Sequence, residues 1–429
     1  MSTANVNATV AGRSHTFAAW LFFLGVILPG NMSFFLGDTK FNPERVAIAL
    51  LLIPALILLL RKGRCLVAAD LFACLASIWM LATSTSLQES LSSAAAMTLE
   101  FFGGYIVTRA FFFGHPAIAE FVRVLKVAVA IIVAVAMLDH MSGKLIVNDA
   151  LGLGGEPEYR SGLMRAASVF PHPILYGAFC AVSGAIFLYS EARPLSKIGW
   201  VGLCFLGCLL AMSSAPFLAF LIAIFVYCYD RLMKSYPWRW KAFAAAIASA
   251  LGFIFLTTNK PISWIVAHLT LDPSTGYFRV ATWDRAFYNI GLSPWSGYGF
   301  GEIRKDSDEF FDNASVDSAW LVLALRFGIP IVVFLFLANV ASFFIGFGKR
   351  TTGRTADPYM DNMRTAFTLA VVILMLAGLT THSWNTMWML WGAVIGVRAS
   401  LYEQFLETRG LREVRSRQNH SVAFHFPAT

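Results

Sequence analysis

The sequence predicts an all-α, polytopic integral membrane protein, and two observations support that prediction. Of its 429 residues, 57% are hydrophobic and only 14% are charged, whereas a soluble domain carries about 25% charged residues. The apolar residues also recur in runs of the roughly 17–25 residues that a helix needs to cross a bilayer. We therefore expect one membrane domain over residues 1–429, with about twelve transmembrane helices and two long outer loops.

The predicted spans follow one another along the whole chain. They are 17–36, 44–60, 66–84, 93–113, 122–138, 173–190, 197–213, 215–229, 240–256, 329–347, 364–381 and 384–401. The first is expected to be retained, because no small-residue cleavage site follows it. The tightest predicted turn lies at Ser213–Pro216, where a re-entrant or broken pair of helices is the alternative.

The distribution of Lys and Arg predicts the orientation. Basic clusters follow the second, eighth, tenth and twelfth spans, and twelve spans place all four clusters on one side. Basic loops mark the cytoplasmic side, so both termini and the tail 402–429 are expected inside. The polar segments 139–172 and 257–328 are then outside. The net charge of +8 is thus a topology signal and does not indicate nucleic-acid binding.

Charged residues within the apolar runs are functional candidates. Glu100 lies in the fourth span, and an intramembrane carboxylate marks a functional site by default; a hydrogen bond to a neighbouring helix is the alternative. Asp70 and Arg109 lie near cytoplasmic span ends, where we expect their side chains to reach the interface. All six cysteines lie in or beside apolar runs, so neither a disulfide framework nor a zinc site is expected.

The first outer segment contains two arginines beside the membrane. Arg160 and Arg165 are five residues apart, and a guanidinium group suits phosphate because its fork of donors binds two oxygens. Ion pairing with Glu156 and Glu158 is the alternative. His172 lies between two prolines, in a rigid segment at the start of the sixth span, where it is either a catalytic candidate or a helix cap.

The second outer segment is the most distinctive stretch of the sequence, from Gly276 to Trp320. It is polar, charged and aromatic together, which is atypical of disorder. Trp283, Phe287 and Ile290 recur at helical spacing, so an amphipathic helix is expected after Arg279. An acidic patch, more typical of a solvated surface than of a metal site, then follows: Asp306, Asp308, Glu309 and Asp312.

A glycine-rich motif and a helix start complete this segment. The motif SPWSGYGFG places Gly297, Gly299 and Gly301 at alternate positions around Tyr298, which permits tight backbone turns beside a ligand. No strand precedes the motif, so it is not a nucleotide fingerprint. Asp317 then precedes a helix and suits its N-cap.

The order of these motifs resembles the superfamily of O-antigen ligases and of O-antigen and exopolysaccharide polymerases. The shared features are an arginine-containing loop that ends in a His-Pro helix start, an Arg-x-x-x-Trp helix, SPWSGYGFG, and FGIP opening a span. The resemblance covers about 155–345. It implies a periplasmic-facing inverting glycosyltransferase of the bacterial inner membrane, without metal or other cofactor. Its donor would be an oligosaccharide on undecaprenyl pyrophosphate, and polysaccharide-assembly proteins would be its partners.

The resemblance also assigns candidate roles. Arg165 and Arg279 match the loop arginines thought to hold the pyrophosphate. Ligases carry a His-Asn pair where this chain has Asp317-Ser318, which favours a polymerase over a ligase. That departure leaves the general base open among Asp317, His172 and His382.

The remaining predicted substrate-binding residues are Arg160, Trp283, Tyr298 and Glu100. A flippase for the lipid-linked glycan is the alternative from another class. A transporter would concentrate polar groups at the bilayer midplane, often in repeated halves, and this sequence does neither.

Overall fold

A computed structural model describes residues 3–36, 39–61, 64–87, 91–268, 273–300, 316–343 and 357–423. The described chain is almost entirely helical, which confirms the predicted all-α class. The helices are α1 (Thr3–Ile27), α2 (Pro43–Leu59), α3 (Ala68–Ser86), α4 (Leu91–Thr98), a π-helical turn (Leu99–Gly103), α5 (Gly104–Phe111), α6 (His115–Ser142), α7 (Ile146–Leu151), α8 (Pro173–Ser190), α9 (Pro194–Leu210), α10 (Ser214–Leu232), α11 (Arg239–Thr257), α12 (Pro261–His268), α13 (Pro273–Leu292), α14 (Ala319–Phe327), α15 (Ile329–Phe343), α16 (Pro358–Ala377) and α17 (Thr386–Ala423).

Each of the predicted spans coincides with helical structure, but only some of the helices qualify as spans by length and apolarity. Within the described chain six qualify, namely α3, α6, α8, α10, α11 and α16. Three shorter apolar helices, Ser14–Ile27, Pro194–Leu210 and Ile329–Phe343, lie beside them. The chain is therefore an all-α membrane protein, while the structure does not yield twelve helices of spanning length. The predicted tight turn at Ser213 joins two separate helices, α9 and α10.

The two predicted outer loops contain regular structure. The first holds α7 and a short antiparallel hairpin of β3 (Tyr159–Arg160) and β4 (Leu163–Met164), and the second holds α12, α13 and α14. A second hairpin, β1 (Phe34–Leu36) with β2 (Thr39–Phe41), follows α1, so the first predicted span ends earlier than expected. Residues 301–315, with Gly301 and the acidic patch, lie outside the described residues.

Helix α8 lies at the centre of the bundle, packed against α9, α10 and α16. Its residues from Leu175 to Tyr189 are all buried. By contrast, no residue in the apolar window of α11 is buried. A helix that is apolar on every side requires an apolar environment, so α11 exposes its side chains where lipid would lie.

Glycines allow α17 to pack closely against α5 and the π turn. A Cβ at Gly392 would lie 2.0 Å from the Phe101 carbonyl oxygen, and one at Gly396 would lie 2.4 Å from the Tyr105 carbonyl oxygen. From the other side, a Cβ at Gly104 would lie 2.5 Å from the Met389 carbonyl oxygen. Small residues spaced four apart allow such backbone contact between membrane helices.

Arg109 is buried in an ion-pair network, so the expectation that Arg109 and Asp70 reach the interface is wrong. Arg109 is 1% exposed. Its Nε lies 3.0 Å from Asp70 Oδ1, its Nη1 pairs with Glu403, and Glu403 also accepts from Arg64 at 3.2 Å. Because Glu403 lies on α17 and satisfies both guanidinium groups, neither needs to leave the bundle. The tail predicted as 402–429 continues α17 as far as Ala423.

Candidate functional site

Arg160 and Arg165 hydrogen-bond the first predicted outer segment to the turn between α9 and α10. Arg160 Nη1 donates to the Met212 carbonyl at 3.2 Å, and Arg165 Nε donates to the Ala211 carbonyl at 3.3 Å. Met212 adopts a left-handed backbone conformation, with φ of 46°. Arg165 also pairs with Glu158. The ion-pairing alternative therefore describes Arg165, and its burial lowers the pKa of the guanidinium.

Both ring nitrogens of His172 have partners. Nδ1 accepts from the Ile174 N–H at 3.1 Å, which makes His172 the N-cap of α8, and Nε2 lies 3.0 Å from Glu158 Oε1. Since Nδ1 accepts, the proton of the neutral ring is on Nε2 and is donated to Glu158. The hydrogen bond from His172 lowers the pKa of Glu158, with Arg165 acting in the same direction. The His172 ring thus has no free lone pair with which to accept a proton.

The three candidate bases line one cavity of about 440 Å³. His172 comes from the start of α8, Asp317 from the segment before α14, and His382 from the connection between α16 and α17. The remaining wall is formed by Ile174, Val316, Val322, Leu325, Arg326, Thr381 and Trp384. Residues that are far apart in the sequence therefore meet at one cavity.

A second cavity of about 390 Å³ adjoins the first, since Arg326, His382 and Trp384 line both. Its wall also includes Glu100 and the basic residues Lys40 and Arg45. Glu100 lies on the π turn, is 1% exposed, and accepts from Arg45 Nε at 2.7 Å. Glu100 is therefore both paired and adjacent to a cavity. Single π turns are frequent at functional sites.

Arg326 is the functional candidate that the sequence analysis missed. Its guanidinium lies 4.7 Å from the centre of the Phe300 ring, and Nη1 is 3.6 Å from the Met97 sulfur. Within the described chain no carboxylate pairs with it, and burial lowers the pKa of the guanidinium. A single arginine in the otherwise apolar run AWLVLALRFGIP was the available signal.

The glycine motif holds the backbone around Arg326. Gly297 and Gly299 both have φ of 65°, the tight turns that were expected. Tyr298 N donates to the Leu325 carbonyl at 2.7 Å and Gly299 N to the Arg326 carbonyl at 2.8 Å. A Cβ at Gly297 would lie 2.5 Å from the Leu325 oxygen. The motif therefore packs against the end of α14 and fixes the position of Arg326, which both cavities share.

Ser318, not Asp317, is the N-cap of α14, so the predicted cap is wrong. The Ser318 hydroxyl accepts from the Leu321 N–H at 3.4 Å and donates to the Gly378 carbonyl at 3.0 Å. A serine cap is as effective as an aspartate cap, and the hydroxyl group also satisfies a buried carbonyl, which a carboxylate is unable to do. Asp317 is left exposed at the cavity.

Arg279 lies on α13, in the electrostatic field of Asp317 and Arg160. It is 9% exposed, and its Nη1 has no hydrogen-bond partner among the described atoms. Burial lowers the pKa of this guanidinium, while Asp317 acts in the opposite direction. Arg279 therefore carries a buried donor near the cavity without a protein acceptor for it.

The predicted aromatic contacts support α14 instead of lining a cavity. Trp283 is 5% exposed and packs with Ile290 against Leu321 and Leu325. The segment is therefore helical with a buried apolar face, but Phe287, the third residue of the predicted stripe, is 42% exposed. The Tyr298 hydroxyl donates to the Asn289 carbonyl at 2.9 Å. Neither residue lines the two cavities described above.

His382 is the largely buried histidine among the candidate bases. Its ring packs on Trp384 with centres 5.1 Å apart, and its buried Nδ1 has no partner among the described atoms. Burial and, to a smaller extent, the charge of Arg326 lower the pKa of His382 to about 4. The ring is therefore neutral at neutral pH.

The fold and site together define a mainly helical membrane protein with two adjoining cavities that share Arg326, His382 and Trp384. No protein-family model and no curated protein matches the sequence.

Proposed function

We propose that the protein is a polysaccharide polymerase, of the O-antigen or exopolysaccharide kind. It would transfer glycan from undecaprenyl pyrophosphate to a lipid-linked acceptor at the periplasmic face of a bacterial inner membrane. One observation carries the proposal. Asp317 lines the same cavity as Arg326, which pairs with no carboxylate among the described residues. That arrangement supplies a proton acceptor and a phosphate ligand together.

Asp317 is the general base that the geometry favours. The nitrogens of His172 are both engaged. The His382 ring is largely buried beside the charge of Arg326, which disfavours the imidazolium that proton transfer would form, whereas Asp317 is exposed at the cavity. In the proposed step an acceptor hydroxyl oxygen attacks the anomeric carbon of the donor. The bond from that carbon to the pyrophosphate oxygen breaks with inversion, and the hydroxyl proton passes to Asp317. General base catalysis contributes about 10²–10⁴-fold.

The leaving group, undecaprenyl pyrophosphate, carries the charge that Arg326 and Arg279 would neutralise. Both guanidinium groups are largely desolvated, and an electrostatic contact is strongest in such a site. Because these two groups supply the positive charge, the proposed transfer uses no metal ion. The second cavity, with Lys40 and Arg45, would hold the other lipid-linked glycan, while Trp384 and Trp388 offer flat apolar faces to sugars.

The twelve-span topology is part of the proposal. With twelve spans, the residues of both cavities fall on the outer side, and the network of Arg64, Arg109 and Glu403 falls on the cytoplasmic side. The structure groups the two sets separately, which supports that topology. Reporter fusions test it. A fusion at Asn148, and one at Asp308 outside the described residues, should report the periplasm, and a cytoplasmic signal at either would overturn the assignment.

Lipid-linked intermediates in a deletion strain test the function. A polymerase deletion accumulates single repeat units on undecaprenyl pyrophosphate. A ligase deletion accumulates full-length lipid-linked polymer, and a flippase deletion traps units on the inner face. Complementation with Arg326→Gln should leave the single units in place. Arg123→Gln is the matched control, because Arg123 is exposed and pairs with Glu120 on α6, and it should restore polymer.

A further inference from the structure

A small cavity of about 90 Å³ lies between the first turns of α16 and the adjoining part of α17. Residues three and four apart share one face of a helix, and both helices contribute such a face. The lining residues are Asp357, Met360, Asp361, Arg364, Leu401, Gln404, Phe405 and Thr408. None of them lines the two cavities of the proposed transfer site.

Arg398 lies one turn before this face on α17 and is fully buried, with an exposed fraction of 0%. Its Nε donates to Thr368 Oγ1 at 2.7 Å, and Thr368 Oγ1 in turn donates to the Arg364 carbonyl at 2.8 Å. Both Nη atoms of Arg398 lack a hydrogen-bond partner among the described atoms. Among the described residues, no carboxylate pairs with Arg398.

Arg364 adds a second buried cation and lines the cavity. It is 5% exposed, pairs with Asp361 and lies over the Phe405 ring at 4.6 Å. Its Nη1 and the neighbouring Gln404 Nε2 are also buried without a partner among the described atoms.

Asp357, the other carboxylate on the cavity wall, already has donors. It caps α16 through the Tyr359 and Met360 N–H groups, and it contacts His115 Nδ1 at 2.6 Å. Arg364 Nη1, Gln404 Nε2 and both Nη atoms of Arg398 are therefore buried donors that have no acceptor among the described atoms.

We propose that this face binds one phosphate group, through Arg364 and Gln404 on the cavity wall, with the buried charge of Arg398 one turn away adding to the attraction. A buried charge is stable only when it is paired and hydrogen-bonded, and a guanidinium fork matches two oxygens of a phosphate. The cavity has room for a single tetrahedral anion and not for a sugar or a nucleotide. Under the proposed topology it lies at the cytoplasmic headgroup level. The phosphate would come from an anionic lipid headgroup or from free phosphate. None of its residues takes part in the proposed transfer reaction.

Thermal denaturation of the purified full-length protein tests this site in two arms. In neutral detergent, the probe is inorganic phosphate. In nanodiscs, the probe is phosphatidylglycerol compared with phosphatidylcholine. The wild type should melt at a higher temperature with phosphate, with phosphatidylglycerol, or with both. The responding arm identifies the source of the phosphate group.

Variants separate specific binding from the general stabilising effect of phosphate. Arg398→Met should fold, because it removes an uncompensated buried charge, and should lose the specific response. Arg123→Met is the matched control and should keep it. Gln404→Leu is a second variant, expected to weaken binding at least about tenfold. The proposal is overturned if neither probe raises the melting temperature of the wild type more than that of Arg398→Met. It is also overturned if Arg398→Met keeps the full rise in melting temperature.

Discussion

Asp317→Asn separates the catalytic role of Asp317 from a structural one. Asparagine has nearly the same shape as aspartate but is unable to accept a proton at neutral pH. Asp317 is exposed at the cavity, and Ser318 supplies the cap of α14. The substitution should therefore leave the helix start intact.

The magnitudes of the two expected effects differ widely. Loss of a general base should lower the transfer rate by about 10²–10⁴-fold. Asp317 is exposed and outside the cap, but its charge also faces buried Arg279, so the substitution should change the free energy of unfolding by about 1 kcal/mol or less. Activity should thus fall while stability changes little.

Ser318→Ala, at the adjacent position, is the matched control with the opposite profile. It removes the cap and the hydrogen bond to the Gly378 carbonyl at 3.0 Å. Loss of a cap costs about 1 kcal/mol. The Gly378 carbonyl keeps its hydrogen bond from the Ala319 N–H at 2.9 Å, so the lost hydroxyl bond adds about 0.5–1.5 kcal/mol. This variant should melt at a lower temperature, yet it should still make polymer at a temperature where it is folded.

The assay combines polymer analysis of complemented deletion strains with thermal denaturation of the purified variants. Asp317 is not the general base if Asp317→Asn, inserted and folded, makes wild-type polymer at the wild-type rate. The catalytic role is also refuted if Asp317→Asn destabilises the protein as much as Ser318→Ala does, because the loss of polymer would then be a folding defect.

Three further predictions concern the surroundings of Asp317. Gly297→Ala should lower activity and cost more than about 2 kcal/mol of stability in thermal denaturation, because its Cβ would lie 2.5 Å from the backbone of Arg326 at a φ of 65°. Gly291→Ala is the control and should be neutral in the same assay, because its Cβ would have nothing within 4 Å. Arg279→Lys should lose most polymer synthesis at normal expression, since lysine lacks the bidentate fork, and full retention of polymer would contradict that geometry. Burial lowers the pKa of His382 to about 4, so the unfolded chain binds this proton from about pH 6.5 downward, before the folded chain does. Stability should therefore fall between about pH 6.5 and 4, and His382→Gln should flatten this part of the melting profile.

The helical class and the grouping of the site were predictable from sequence for physical reasons. Long apolar runs have one stable form in lipid, and the outer side of the predicted topology gathers Asp317, His172 and His382. The number of spans was harder to predict, because α9 and α15 are apolar but short. Hydropathy alone does not decide whether a short helix crosses the membrane.

The partners of individual side chains were not predictable. Arg109 was expected at the interface because the sequence does not show that Glu403, nearly three hundred residues away, meets it on α17. The N-cap of α14 was misassigned because two adjacent residues, Asp317 and Ser318, are both good caps. The contact of Ser318 with Gly378, which decides between them, is a tertiary one.

The glycine contacts of α17 with α5 have a mechanical consequence. Because a Cβ at Gly392 or Gly396 would collide with the facing backbone, the two helices have no clearance to slide and must tilt together. Trp388, on the wall of the second cavity, and Arg398 lie on this same helix, about 15 Å apart along its axis. A tilt of the close-packed pair would therefore displace both residues together.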